Sequence, residues 1–562
     1  MASIVGKKLG NKTYYYLVES ARVGGKPRIV SQVYLGSAEE IADRLSGVSP
    51  GEPDRIREAS FGALAGVWSV IERLGIAEII DGVVGARRSD AAASVGTYIA
   101  LAVANRVVAP RSKLAFAEWW GTTVGPRLLR LPEAALDHRR FWDAMDYLST
   151  EDLVAAEEAI TAAMVTNFDL DLSGLVLDMT NFATFVDSAN ARNTIAQRGH
   201  AKQKRYDLRL VGLALTVTRD GGVPIYSHAY EGNRPDVTQF AEAVKMLAAR
   251  FRAQVGGDEG LTVVYDAGCD SADNQAVIEG AGLHFVGSLI VTNHPDLLAV
   301  PASEYKSLER KGFPGLSYYE TRTKALGKDR RVIITHSSDF HDAQVRGLEQ
   351  SLAKARRRLG ELAARLGRGN TRRERPAVEA EIAAIVKDDR VGRVIRTTLT
   401  GRTPANLRLT WRSDATARRA LEAEIFGKRI LFTDHEDWAV TDVVSAYRSQ
   451  PDVEAGFRQM KDRRVVGFSP MFHWTDQKIR VHAFYCVLAL AVAHIMRRET
   501  ERAGMAMSVR ELLANLDTIK EVTLLYQGET GRPRARRMLT EIDPIPQRLY
   551  DLFGLDAYAP AR

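Results

Sequence analysis

A chain of 562 residues exceeds what one ordinary hydrophobic core serves, so about two to four domains are expected. Hydrophobic residues at 45% exclude a disordered chain, and having only two cysteines, Cys269 and Cys486, excludes a disulfide framework and a cysteine-based zinc cluster. Lys and Arg number 77 against 70 Asp and Glu, a formal charge of +7 that suits a polyanionic partner without requiring one.

The opening MASIVGKKLG lacks the apolar core of a signal sequence. Residues 1–50 read as a small β unit: KTYYYLVES and PRIVSQVYLG are rich in aromatic and β-branched residues, and RVGGK between them supplies turn chemistry. Over 51–170 the period becomes helical, with Leu64, Val67, Trp68, Ile71 and Leu74 at steps of three and four. Asp90 is placed to cap a helix running to about Val107, Ser112 to cap another, and Glu151 to Asn167 forms a third. This helical domain either packs on itself or binds DNA ends.

From Leu175 the pattern turns to strands: GLVLDMTNF, DLRLVGLALTVT and VPIYSHAYEGN, then a helix from about Asp236 to Arg252, the strand LTVVYD, a short helix capped by Ser271, and HFVGSLIV. Three strands, a helix and a fourth strand is the order of a ribonuclease-H-like α/β domain. Such a sheet sets the first and fourth strands side by side and makes Asp178 and Asp266 neighbours. We therefore expect an α/β catalytic core over 171–300 and 428–500, with a large insertion over 301–427. The insertion has strand-like pieces from Tyr305 to Thr335 and a charged helical pair from Ala343 to Val391, broken at GRGNTRRERP. NLRLTWR and KRILFTD lead back to the core, and 501–562 is expected to be a C-terminal helical region. The longest apolar stretch, Phe484 to Ile495, falls short of the roughly 20 residues that span a bilayer, so a buried helix is expected and no membrane. A reducing cytoplasm fits the whole.

Asp178 closes the run LVLD and Asp266 the run TVVYD, so both are expected at the ends of buried strands. Pro451 favours a helix start, from which Glu454, Arg458 and Lys461 fall at i, i+4 and i+7 on one face. Two strand carboxylates joined by a third from a helix are what a two-magnesium phosphoryl-transfer site requires. Alone, the helix face is equally an exposed Glu–Arg pair of about 0.3–0.5 kcal/mol. The run RGHAKQKR, with Arg198, His200, Lys202, Lys204 and Arg205, follows the first of these strands and is placed to track a DNA backbone. Arg356, Arg357 and Arg358 with Arg372, Arg373 and Arg375 are either a second DNA contact or, given their interleaved acids, an exposed helical hairpin.

The C-terminal stretch resembles the Y-x2-R-x3-E-x6-K signature of DDE transposases from bacterial insertion sequences, with Tyr447, Glu454 and Lys461 at the matching positions. DMTNF at Asp178, YDAGCDSADN at Asp266, LFTDHEDW and SPMFHWTDQKIRVHAFYCVLAL are similar to the same group. The signature arginine falls on Gln450, so Arg448 or Arg458 is expected to replace its phosphate contact. The resemblance implies a recombinase of the bacterial cytoplasm and nucleoid. It would bind the inverted terminal repeats of its element as a homodimer in a synaptic complex, free a 3′-OH by hydrolysis and join it to target double-stranded DNA. It implies that Asp178, Asp266 and Glu454 hold two Mg²⁺ ions, Mn²⁺ being able to substitute, that Lys461 meets a phosphate and that Tyr447 donates to another. A structure-specific endonuclease or resolvase would share the triad without needing the signature. An inactive DNA-binding descendant should have lost an acid, and all three are present.

Overall fold

The computed structural model describes residues 2–10, 12–23, 25–45, 52–85, 92–187, 189–202, 205–255, 260–308, 313–368, 373–526 and 534–561. Asp90, Lys204 and Arg372 lie outside the described residues.

At the N-terminus β1 (Ala2–Leu9), β2 (Lys12–Val23) and β3 (Lys26–Ser37) form an antiparallel meander followed by α1 (Ala38–Leu45). Gly10 and Gly25 turn the chain at positive φ, 62° and 79°. Tyr34 lies 6.1 Å from Tyr14 and 5.2 Å from Tyr16 between ring centroids. Most of this sheet faces solvent, Ile29, Val30 and Val33 included.

After β4 (Arg55–Ser60) the chain becomes helical, with α2 (Gly62–Arg73), α3 (Val95–Val108) and α4 (Thr150–Phe168). The cap of α3 is Ser94, whose Oγ accepts from Thr97 N at 3.1 Å, and Ser149 with Asp152 forms a capping box on α4. Gly62 to Ile71 of α2 are all buried, as is nearly all of α3. A helix apolar on every side must be enclosed. These helices accordingly share one core with the strands and the long helix described below, Leu64 and Leu101 joining Val211, Leu213 and Leu488.

The central sheet begins with the antiparallel strands β5 (Gly174–Ala183), β6 (Leu210–Thr218) and β7 (Pro224–Glu231). After α5 (Asp236–Val255), β8 (Thr262–Tyr265) runs parallel to β5, and after α6 (Ala272–Gly280), β9 (His284–Leu289) runs parallel to β8. The chain continues through β10 (Lys306–Ser307), β11 (Leu316–Ala325) and β12 (Lys328–Ser337). It then makes an excursion through α7 (Ser338–Gly367), α8 (Arg375–Ile385) and the hairpin β13 (Ile395–Thr400) and β14 (Arg408–Ser413). On return, β15 (Lys428–Thr433) pairs antiparallel with both β12 and β9. The nine-stranded sheet thus has the order β10-β11-β12-β15-β9-β8-β5-β6-β7.

Two expectations change here. Within the stretch expected as an insertion, β10, β11 and β12 join the central sheet, and Val332, Ile333 and Ile334 are fully buried, as in a central strand covered on both faces. The 501–562 region is not wholly helical. After α9 (Val440–Tyr447), α10 (Gln450–Lys461), α11 (Asp476–Arg502) and α12 (Val509–Asp517), β16 (Lys520–Tyr526) pairs with β17 (Arg534–Leu539) and with β4, which is far from it in sequence.

Helix α11 is also longer than the apolar stretch within it. With 27 residues and a mean hydropathy of 1.7 over its most apolar window it is long and apolar enough to cross a membrane, yet 94% of that window is buried inside the protein. It is a core helix.

Candidate active site

Parallel pairing of β5 with β8 aligns Val176 with Val264. Two residues further on, on the same face of each strand, stand Asp178 and Asp266. Strand β8 ends at Tyr265, so Asp266 lies just past its end and opens a short 3-10 turn. Strand β5 continues to Ala183 because β6 pairs with it that far. Asp178 is therefore a mid-strand residue, not a strand-end one, and it faces the gap that opens where β8 stops.

The Asp178 carboxylate accepts from its neighbour's amide, Met179 N, at 2.7 Å. Burial pushes its pKa up to about 6, against the pull of the Met179 N–H and the Lys202 ammonium and with repulsion from Asp266 and Glu454 adding to it. The repulsion means that the three carboxylates share one neighbourhood. They stand further apart than a closed metal shell: among the described residues, the three ligand-type side chains with donor atoms within 4.8 Å of one another are elsewhere, at His284, Asp434 and His435.

Glu454 rides on α10, which starts with Pro451 in its first turn and buries Val453, Gly456, Phe457 and Met460. Its side chain is half exposed, 3.4 Å from Arg458 Nη1. Seven residues along, Lys461 reaches back to β5: its Nζ donates to Thr180 Oγ1 at 2.8 Å and lies 5.4 Å from the Phe182 ring centre. Burial lowers its pKa to about 8, helped by the Lys202 charge and opposed by Asp178 and Asp236.

Lys202 belongs to the same cluster. Its Nζ donates to Met179 O at 2.8 Å and pairs with Asp236 Oδ2 at 2.6 Å, and Asp236 in turn accepts from Tyr230 Oη at 2.8 Å. The basic run containing it therefore divides. Lys202 is fixed beside Asp178, whereas Arg205 is held by Asp207 at 2.9 and 2.7 Å and His200 is exposed, with its carbonyl accepting from Asn181 Nδ2 at 2.8 Å.

Tyr447 differs from the phosphate contact that the resemblance implies. It lies on the buried face of α9, where its hydroxyl donates to Asp266 Oδ1 at 2.8 Å and accepts from Arg429 Nη1 at 3.2 Å. Both lone-pair and proton directions are thus engaged, and the hydroxyl orients a carboxylate. Arg448 is exposed, with its guanidinium 4.5 Å over the Phe313 ring. Gln450, at the signature's arginine position, is buried with Oε1 lacking a hydrogen-bond partner. In the excursion, Arg356 bonds Ser413, Arg357 pairs with Glu361, Arg365 and Arg373 share Glu381, and Arg375 pairs with Glu379, so part of the basic charge of this helical pair is met by acids of the same pair.

Sequence reasoning missed Arg429, Asp236 and Thr180. Arg429 sits in a strand and Asp236 at a helix start, two ordinary places for them, and neither signals a partner far along the chain.

A model of the transposase DDE domain matches residues 170–491, more than half of the chain. The chain belongs to this family. The matched region of the transposase opens just before β5 and closes within α11, so it takes in Asp178, Asp266, Tyr447, Glu454 and Lys461 together. No curated protein matches the chain. Among solved structures, the piggyBac transposase in a synaptic complex with hairpin DNA is similar at a TM-score of 0.36 and 9% identity, over 83% of this chain and 82% of that one.

Proposed function

We propose that this transposase cleaves and joins DNA at a centre formed by Asp178, Asp266 and Glu454, on a ribonuclease-H-like core. The core reading rests on the strand order β7-β6-β5-β8-β9, a meander of three with the fourth strand parallel to the first. The observation that carries the catalytic reading is the placement of Asp178 and Asp266 two positions beyond a paired Val176 and Val264, with Glu454 close enough to raise the Asp178 pKa.

The donor set fits Mg²⁺ or Mn²⁺: it is all oxygen, and its members repel one another, which a divalent cation would relieve. Two such ions, when bound, supply Lewis-acid activation of the attacking oxygen and stabilisation of the leaving one. Asp178, Asp266 and Glu454 would hold the ions. Tyr447, braced by Arg429, holds Asp266 in place. Lys461 and Lys202 flank Asp178 and orient a phosphodiester by charge. A water oxygen bonds to the phosphorus and the 3′-oxygen leaves with a proton. That 3′-OH then attacks a phosphorus of target DNA, displacing the target's own 3′-oxygen.

DNA is held elsewhere too. Helices α2 and α3 are too deeply buried to supply a reading helix, whereas residues 2–37 expose Lys7, Lys8, Lys12, Arg22, Lys26 and Arg28 against a single acid, Glu19. We assign this three-stranded sheet to the duplex, since a β-sheet surface can enter the major groove. The biological setting is a bacterial insertion sequence, with two copies pairing its terminal inverted repeats. Purified protein incubated with labelled element-end DNA and Mg²⁺ should release a 3′-OH end and join it to a second duplex. Nicking without joining would leave an endonuclease, and binding without nicking an inactive descendant.

A further inference from the structure

The geometry points to a second metal site, of the zinc type, formed by His284, Asp434 and His435 in the middle of the central sheet, at the other end of its strands from Asp266. His284 opens β9, and Asp434 and His435 follow β15. Antiparallel pairing of Val286 with Thr433 brings these three to one place although 150 residues separate the first two along the chain. One donor atom from each lies within 4.8 Å of the others.

Asp434 and His435 are each held by a partner outside the set. Asp434 Oδ1 accepts from Phe285 N at 3.0 Å, while its Oδ2 stands 2.9 Å from His284 Nδ1. The His435 Nε2 lies 2.8 Å from Thr262 Oγ1, and in the tautomer in which Nε2–H donates to that hydroxyl, Nδ1 carries the lone pair. Fixing one ring nitrogen by a hydrogen bond so that the other can bind metal is the usual support of a ligating histidine. The His435 ring is also clamped between Trp438, at 3.7 Å and 11°, and His284, at 4.6 Å and 29°. Arg331 Nη1 donates to the carbonyls of His435 and Trp438, each at 2.7 Å, so the turn is set before any ion arrives.

The donor chemistry separates this site from the carboxylate centre. Two imidazole nitrogens and one carboxylate oxygen suit Zn²⁺, which takes three such ligands and a water, whereas Mg²⁺ favours oxygen alone. Thr262, which touches His435, begins β8 and Asp266 follows its end, four residues or about 13 Å along the strand. The ion would fasten the start of β9 to the turn that leads from β15 into α9. Its role is to anchor the segment carrying Tyr447 and Glu454.

The test uses the full chain, stripped with a chelator, dialysed against Zn²⁺ and assayed for bound zinc by mass spectrometry, with isothermal titration for affinity. About one Zn²⁺ should bind per chain, it should persist in the Asp178→Asn/Asp266→Asn double variant, and His284→Gln and Asp434→Asn should each bind at least about tenfold more weakly. His284 is half exposed, so its variant should fold even where loss of the clamped His435 ring prevents folding. Absence of stoichiometric zinc in the unmodified protein, or equal affinity in His284→Gln, would overturn the assignment. So would loss of the zinc in the double variant.

Discussion

Asp178 carries a proton more readily than an ordinary carboxyl group, and this gives the metal-free protein a signature. Its folded pKa, about 6, lies above the unfolded value of about 3.9. The stability it contributes is therefore full below about pH 4 and is lost as pH rises through about 6, an effect on the order of 2–3 kcal/mol at most. In the absence of divalent ions, Asp178→Asn should gain melting temperature relative to the unmodified protein between pH 5 and 7. Parallel melting curves across that range would contradict the burial assigned to this carboxyl. Tyr447→Phe removes the donor to Asp266 and leaves Arg429 without its acceptor. Hydrogen bonds to charged groups contribute about 1.5–3 kcal/mol, so cleavage should slow by about tenfold or more while DNA affinity stays unchanged. An equal loss of affinity would instead return Tyr447 to a phosphate. At this scale the sequence was legible where chemistry is local: Glu454 and Lys461 share a face because both lie on α10. The partners of Tyr447, Lys202 and Lys461 were not legible, since each comes from a different element of the sheet or its covering helices.

Strand β5 shows what an element can and cannot disclose. Its buried run Leu175 to Leu177 and the wholly buried TVVY of β8 are apolar and β-branched, so both strands could be read from composition. Where β5 ends depends on β6, and the middle position of Asp178 was hidden for that reason. Likewise β16 is a strand because β4 lies beside it, a pairing across more than 450 residues that no local pattern records. For the β1–β3 sheet, replacing Lys7, Lys8 and Lys12 by Ala should weaken binding to duplex DNA of any sequence and reduce the salt slope by about 0.9 for each phosphate that a lysine no longer neutralises. Arg205→Ala should have little effect, because Asp207 already pairs with that side chain. If the triple lysine variant shows the same slope as the unmodified protein, the sheet does not hold the duplex.

Across the whole molecule, α11 is the common support. Leu490 and Val492 belong to the core that α2 and α3 share with β5 and β6, and Leu490 meets Gly456 of α10 so closely that a Cβ there would sit 3.2 Å from it. Leu490→Ala should cost about 2–5 kcal/mol in denaturant unfolding and loosen α10 on the sheet. A loss below about 1 kcal/mol would mean that neighbouring side chains collapse readily into the space. The central claim is that three acids distant in sequence act as one centre. It is tested most directly by strand cleavage of labelled element-end DNA in Mg²⁺, comparing the unmodified protein with Asp178→Asn, Asp266→Asn and Glu454→Gln. Each variant should bind the DNA about as well as the unmodified protein and release no 3′-OH end. Cleavage retained by any one of the three would contradict the account.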